Sequence, residues 1–462
     1  MALHLTINGE PITLENISPT MTLLEYLRHS RRVGTKEGCA DGDCGACTIA
    51  VLGHRADGTP HYQAMNSCLI PLGSMAHRQI ITVEGVVNGQ LHLVQEKMVE
   101  LGGSQCGYCT PGFIMSMFAA FYDGSHDDLS VEGNLCRCTG YLPIRRALQS
   151  LSFPNENDPF QAQLLQSSKS LPAVDHDGNG QRFYRPTQLS DVLELMQTHP
   201  DATLVAGATD LGLELTHRRQ QYSVLISLEV VQELQILEQT SDTVTIGAAV
   251  SLSQIKDSLH EVFPALDEML HWFAACQVRN RATLGGNIGT ASPIGDLPPV
   301  LLALDATLTL ASVRGMREVE IATFFTGYRQ TIRHADEVIV SIHIPKTITP
   351  GATRRLSQSY KVGKRGTDDI SIVAAVFTID LDQDNRILLA RLAYGGVAAT
   401  PIRATEIEEN LVGHPWSIET IQAVKPQLQS TFTPLSDLRA SADYRNRLVA
   451  NLFEKFFYEF SL

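Results

Sequence analysis

Nine cysteines are the residues of this chain best able to do chemistry, and eight of them lie between Cys39 and Cys138. The first four run Cys39-x4-Cys44-x2-Cys47 and then Cys68. That is the spacing of a plant-type ferredoxin loop, in which thiolates from a tight turn hold a [2Fe–2S] unit. Gly38, Gly42 and Gly45 accompany them, and glycine permits the dihedrals that turn backbone N–H groups toward the sulfides. Four thiolates also close a tetrahedral zinc site; the x4 spacing in a Gly-rich loop favours iron. The second set, Cys106-x2-Cys109 and Cys136-x-Cys138, forms two pairs at the starts of expected helices, where a positive helix terminus favours thiolates. On spacing alone this set suits either zinc or iron. The N-terminus has no secretory signal, so reduced, metal-binding thiols are expected rather than a disulfide framework.

The strings around the second set decide between the metals. Gln105-Cys106-Gly107-Tyr108-Cys109-Thr110-Pro111-Gly112 and Gly133-Asn134-Leu135-Cys136-Arg137-Cys138-Thr139-Gly140-Tyr141 strongly resemble the second cluster domain of the xanthine oxidase family of molybdenum hydroxylases. The resemblance implies a β-grasp ferredoxin-like domain followed by a helical domain of four-helix type, each holding one [2Fe–2S] cluster.

Two further segments concern a flavin. Leu204-Val-Ala-Gly207-Ala-Thr209-Asp210-Leu-Gly212 reads as an apolar strand entering a turn that can offer N–H groups to a phosphate. Thr283-Leu-Gly285-Gly286-Asn287-Ile-Gly289-Thr290-Ala-Ser292-Pro-Ile-Gly-Asp296 is denser in Gly, Thr and Ser than a plain turn needs. Composition alone fits ordinary turns equally well, and no G-x-G-x-x-G follows a strand, so a Rossmann site is not supported. Both segments are similar to the two pyrophosphate-binding loops of the same family's FAD domain. The resemblance implies FAD on an α+β domain of the non-Rossmann, vanillyl-alcohol-oxidase-like type. It places Leu204, Val205, Ala206, Gly207, Ala208, Thr209, Asp210 and Leu211, with Thr283, Leu284, Gly285, Gly286 and Asn287, at the pyrophosphate. It also implies Asp296 at a sugar or phosphate-bridge hydroxyl, Phe273 beside the isoalloxazine, a backbone contact near Val340, and Lys361 in the flavin region. The plain alternatives are a core aromatic for Phe273, a solvated surface lysine for Lys361, and a small core filler for the ninth cysteine, Cys276. The stretch after Lys361 keeps the acidic pair Asp368-Asp369 of the family's flavin-side loop but differs around it.

The elements that must position these residues are legible in outline. Residues 3–14 predict a hairpin turning at Asn8-Gly9, and 22–28 a helix. Strands are expected at 46–52 and 80–83. From Leu91 the period becomes helical, with Val94, Met98 and Leu101 on one face, then Phe113, Met117 and Ala120, then Ile144 and Leu148. Residues 153–180, rich in Asn, Asp, Gln, Ser and Pro, read as a tethering linker. The expected organisation is therefore α+β and multidomain: 1–85 ferredoxin-like, 86–152 helical, the linker, 181–346 FAD-binding, and 352–462 a closing α+β subdomain of short strands alternating with helices.

Composition narrows the function. A chain of 462 residues with 44% hydrophobic content and 19% charged residues is globular, and its net charge of −14 opposes nucleic acid. No apolar run reaches the length of a membrane span, so a cytoplasmic protein is expected. No Ser/His/Asp or Cys/His arrangement stands out, and no catalytic residue is assigned. Two one-electron centres before a flavin make a relay, since a flavin collects single electrons and discharges them as a hydride. The resemblance extends over nearly the whole chain and is nearest to the small iron–sulfur/FAD subunit of a bacterial-type xanthine dehydrogenase. It implies a larger partner subunit carrying the molybdenum cofactor, a heterotetramer of two small and two large chains, and NAD as acceptor. Electrons from purine hydroxylation would cross the cluster of Cys106, Cys109, Cys136 and Cys138, then that of Cys39, Cys44, Cys47 and Cys68, then FAD. The equivalent subunit of an aldehyde or N-heterocycle hydroxylase, and a stand-alone flavin and iron–sulfur NADH reductase, are the alternatives.

Overall fold

A computed structural model describes residues 2–87, 89–154, 158–165 and 170–461. The chain divides into two compact units, the first comprising residues up to Gln232 with Ser251–Gln254 and Ala274–Ala282, the second Glu233–Val250, Ile255–Phe273 and the chain from Thr283. Among the described residues no helix is long and apolar enough to cross a membrane.

The first unit opens with the hairpin Leu3–Ile7 and Glu10–Leu14. Asn8 and Gly9 take φ of 53° and 81°, the positive pair that a two-residue turn requires. These strands belong to a five-stranded sheet completed by Gln79–Ile81, Thr48–His54 and Pro60–Asn66. The last strand has no counterpart in the sequence reading. Thr22 caps the helix Leu23–His29 through a reciprocal box with Glu25. That helix buries Leu23 and Leu27 against Leu3, Leu5, Ile7, Ile49 and Val51 of the sheet.

Beside it the helices Leu93–Glu100, Thr110–Asp123 and Leu142–Gln149, with a 3-10 turn at Asp128–Val131, enclose Val94, Met98, Phe113, Met117, Ile144 and Leu148. Leu101 departs from the expected face: it ends its helix and is exposed.

Part of the expected linker, 155–157 and 166–169, lies outside the described residues. The rest is not a plain tether. Pro159–Leu165 is helical, and Val174–Gly178 pairs with Gln181–Arg185 through the turn Asn179-Gly180, whose φ values are 53° and 74°. Polar composition concealed both elements; Leu164 and Phe160 of the helix pack on the core of Tyr62, Met115 and Phe118. The hairpin then extends in parallel to Val224–Ser227 and Thr203–Val205, completing a four-stranded sheet.

The second unit holds a five-stranded sheet in the order Leu237–Gln239, Thr243–Gly247, Val338–Pro345, Thr307–Ser312, Gly315–Glu320. A four-stranded sheet follows: Arg354–Val362, Val373–Leu381, Ile387–Gly395 and Ile402–Arg403. Its first three strands have nine residues each, and the helices Thr405–Leu411, Ile418–Ser430 and Ala442–Glu459 come after them as a block, not in alternation. Every residue of Val373–Leu381 is buried, because helix Ala442–Glu459 and helix Leu297–Ala303 both pack on this strand. A strand covered on both faces loses the two-residue alternation that would reveal its length.

Candidate functional site

The first cysteine set lies on the loop before Thr48–His54, with Cys68 in the 3-10 turn Ser67–Leu69. Its thiols are grouped in pairs. The Cys39 and Cys44 sulfurs each accept the other residue's backbone N–H, at 3.2 Å (Cys44 N–H to Cys39) and 3.3 Å (Cys39 N–H to Cys44), while Cys47 and Cys68 have their sulfurs 3.4 Å apart. In the second set Cys106 and Cys138 are 3.7 Å apart, Cys136 and Cys138 3.9 Å. Metal–sulfur bonds of about 2.3 Å in a tetrahedron hold two thiolates roughly 3.8 Å apart. Among the described residues no three His, Cys, Asp or Glu gather round a single ion position. The separate pairs of the first set, Cys39 with Cys44 and Cys47 with Cys68, suit a two-iron unit, in which each iron takes two protein thiolates.

Each set also contains a thiol biased toward the thiolate, the ligating form. The hydrogen bond shared with Cys39 lowers Cys44 to about 6 and raises Cys39. Burial works to raise Cys136, but hydrogen bonds from Thr139 prevail and bring it to about 7. Cys109 caps the helix Thr110–Asp123, as its placement at a helix start predicted. Cys136 and Cys138 instead lie in the loop ahead of Leu142–Gln149, whose cap is Tyr141. Cys276 stands apart: burial raises its thiol to about 11, and it accepts from Asn280 at 3.6 Å.

The two loops touch through their backbones. Leu135 N–H donates to the Cys44 carbonyl at 3.0 Å, and Asn134 Nδ2 donates to the Gly45 carbonyl at 3.0 Å. Tyr108 donates its hydroxyl to the Glu37 carbonyl. Gly45 must be glycine here, since φ is 64° and a Cβ would lie 2.1 Å from the Gly133 carbonyl oxygen. Asn66, which donates to the Gly42 carbonyl at 2.8 Å, and Asn134 hold these loops, yet neither was given a role from the sequence. Asn134 lies inside the string that carried the resemblance; an Asn beside a Gly reads first as a turn residue.

Of the flavin candidates, Leu204 to Leu211 lie in the first unit. Leu204 and Val205 end the strand Thr203–Val205, and Ala208 sits in the left-handed region at φ 65°. A non-glycine residue there marks a turn held by its surroundings and fits an anion-binding nest of N–H groups.

The remaining candidates lie in the second unit. Thr283 caps the short helix Leu284–Gly289, accepting from Gly286 N–H at 3.0 Å. Gly285 packs so closely on Ala248 that a Cβ would come within 2.5 Å, and the buried Asn287 Oδ1 has no partner among the described residues. Val340 is the extra residue of a β-bulge: Thr309 faces Ser341 and Leu310 faces Ile339, so Val340 is skipped. Bulges re-aim backbone groups beside functional sites. Lys361 is no solvated surface lysine. Its side chain is 3% exposed, its ammonium donates to Asp296 Oδ2 at 2.9 Å and to the Trp272 carbonyl at 3.0 Å, and Ser371 donates to Asp296 Oδ1. Phe273, half-buried, caps the helix Pro264–Trp272. Asp296, Lys361 and the backbone next to Phe273 are thus brought together. In donor chemistry the orphaned Asn287 oxygen and the strained turn at Ala208 fit FAD, and the two sets of four thiols fit two [2Fe–2S] units.

Comparison with known proteins matches residues 5–72 to a 2Fe-2S iron-sulfur cluster binding domain and 82–149 to a [2Fe-2S] binding domain. Residues 178–347 match the FAD binding domain in molybdopterin dehydrogenase, and 358–460 the CO dehydrogenase flavoprotein C-terminal domain. Xanthine dehydrogenase of Drosophila subobscura is 35% identical over 97% of this chain and 38% of its own length. Xanthine dehydrogenase 1 of Arabidopsis thaliana is 34% identical over 98% and 39%. The chain therefore spans about two fifths of the length of these relatives. Among solved structures, carbon monoxide dehydrogenase from Hydrogenophaga pseudoflava matches with a TM-score of 0.55 and 28% identity over 59% of this chain and 94% of that one. Quinoline 2-oxidoreductase from Pseudomonas putida 86 matches with 0.55 and 27%, over 60% and 94%.

Proposed function

Since the chain belongs to the xanthine oxidase family of molybdenum hydroxylases and carries its two 2Fe-2S domains and its flavin domains, we propose that it is the electron-transfer subunit of a xanthine dehydrogenase. In this reading a larger partner subunit bears the molybdenum cofactor and hydroxylates a purine, and NAD receives the electrons. The observation that carries it is the gathering of two cysteine sets, with the Cys47–Cys68 and Cys106–Cys138 sulfurs 3.4 and 3.7 Å apart, on loops that share the Leu135–Cys44 backbone bond. When bound, the iron–sulfur units accept one electron at a time and the flavin gathers two.

The chain's own residues do the rest. Cys39, Cys44, Cys47 and Cys68 would hold one unit, Cys106, Cys109, Cys136 and Cys138 the other. The backbone N–H groups of Cys39, Cys44 and Thr139 point at sulfur and favour added negative charge there. Leu204 to Leu211 and Thr283 to Asn287 would take the pyrophosphate of FAD, Asp296 a hydroxyl. Lys361, ion-paired with Asp296, would lie in the flavin region.

The test is to isolate the native complex, determine its metals and flavin, and assay it with xanthine and NAD. About four iron per chain, FAD released by denaturation, a larger molybdenum-bearing chain and xanthine-dependent NADH formation are expected; zinc in place of iron overturns the reading. A second reading, the same role in a hydroxylase of another substrate, is favoured by the match to quinoline 2-oxidoreductase. Turnover of an aldehyde or N-heterocycle without turnover of xanthine would select it.

A further inference from the structure

Behind the turn at Gly207 lies a buried group of charges that no part of the relay uses. Glu229 sits among three arginines: Arg281 Nη1 at 2.8 Å, Arg78 Nη2 at 3.1 Å and Arg185 Nη1 at 3.7 Å. Their side chains are at most 12% exposed, and Arg185 is fully enclosed. One carboxylate among three guanidinium groups leaves an excess of positive charge out of contact with water. Burying it is costly unless further acceptors take the N–H groups: Arg185 donates to the Ala76 and Pro172 carbonyls and Arg78 to the Ser74 carbonyl.

Arg281 connects this group to the turn in two ways. Its Nε donates to the Gly207 carbonyl at 3.2 Å. Its own carbonyl lies flush against Gly207, where a Cβ would be 1.8 Å from the Arg281 oxygen. The peptide between Gly207 and Ala208 is trans. With its C=O directed at Arg281, its N–H, which Ala208 bears, points the opposite way. No acceptor for that N–H is found among the described residues. Ala208 itself is buried and left-handed, a conformation that must be imposed from outside. The buried Arg281 Nη2 likewise has no acceptor among the described residues.

We propose that Arg281, clamped by Glu229, is a positioning residue for the phosphate-binding turn: by holding the Gly207 carbonyl inward it aims the Ala208 N–H outward at an anionic pyrophosphate. This rests on the reading that residues 204–211 receive FAD. Arg281 touches the turn and not the reacting ring, so its effect belongs to cofactor retention and not to electron transfer.

The test compares the full-length chain with Arg281→Met and Gly207→Ala, the second forcing the turn off Arg281 while leaving every charge in place. Flavin-stripped protein with intact iron–sulfur absorbance is titrated with FAD, with ADP as competitor and with riboflavin, which has no phosphate. Both variants should bind FAD and ADP about tenfold more weakly and riboflavin as the parent does. The phosphorus resonances of bound FAD should also shift. Unchanged FAD affinity and resonances in either folded variant overturn the proposal, as does an equal loss of riboflavin. If the parent chain binds no flavin at all, the FAD reading itself falls and takes this inference with it. FAD binding by the parent together with unaltered variants removes the inference alone.

Discussion

Substituting one sulfur in each set separates the two centres. Cys44→Ser should abolish one of two paramagnetic signals of the reduced chain and Cys136→Ser the other, while Cys276→Ala leaves both; electron paramagnetic resonance reads this directly. Loss of both signals from a folded single variant would contradict two independent clusters. Glu229 supplies a second residue-scale expectation. Burial acts to raise its carboxyl, but Arg78, Arg281 and Arg185 outweigh burial and hold it at about 2. Its folded value lies below the ordinary 4.5, so its stabilisation is complete above about pH 4.5 and fades as pH falls toward 2. Glu229→Gln should therefore lower stability at neutral pH by roughly 3 kcal/mol and flatten that part of the acid-unfolding curve, followed by circular dichroism. The cysteines were legible in the sequence because ligand spacing is local. Glu229 and Arg281 were not, since Arg281 and Arg78 lie 52 and 151 positions from Glu229 and nothing near them in the chain signals a shared site.

Among the elements, the helix Pro159–Leu165 shows why composition misleads. Tyr122 donates to Asp158 Oδ1 at 2.8 Å, and the same oxygen accepts the N–H groups of Phe160 and Gln161 at 2.9 and 3.1 Å. Tyr62 donates to the Phe160 carbonyl at 2.9 Å, and Phe160 meets Phe118 edge-on with ring centres 5.0 Å apart. Only two large apolar side chains, Phe160 and Leu164, anchor the segment in its core, too few to create a visible period. The Asn179-Gly180 turn carried the same signal as Asn8-Gly9, but a polar setting hid it. Tyr122→Phe should cost about 1–2 kcal/mol locally, and faster amide exchange confined to 160–165 would show it. Unchanged exchange there would mean that the aromatic contacts alone hold the helix.

At the scale of the whole molecule, the order of motifs along the chain was readable, and it is the order in which the four family domains match. The stretch 181–346 was expected as one FAD-binding domain, and the FAD-domain match covers 178–347; by compactness, residues 181–232, 251–254 and 274–282 lie in the first unit. The proposed role predicts that two activities come apart. The chain alone should not oxidise xanthine but should pass electrons from NADH to an artificial dye, and adding the molybdenum-bearing subunit should restore xanthine-dependent NADH formation. Xanthine oxidation by the isolated chain would refute the division of labour.

The bond between Leu135 N–H and the Cys44 carbonyl is written in the main chain, and the Leu135 side chain is 45% exposed. Its persistence through mutation is therefore almost independent of which amino acid the gene specifies there. In a saturation library, position 135 should accept polar, charged and small residues alike and reject proline, which alone has no N–H to give. Depletion of proline alone in a screen for intact clusters would locate a dependence that a comparison of side chains across variants would pass over.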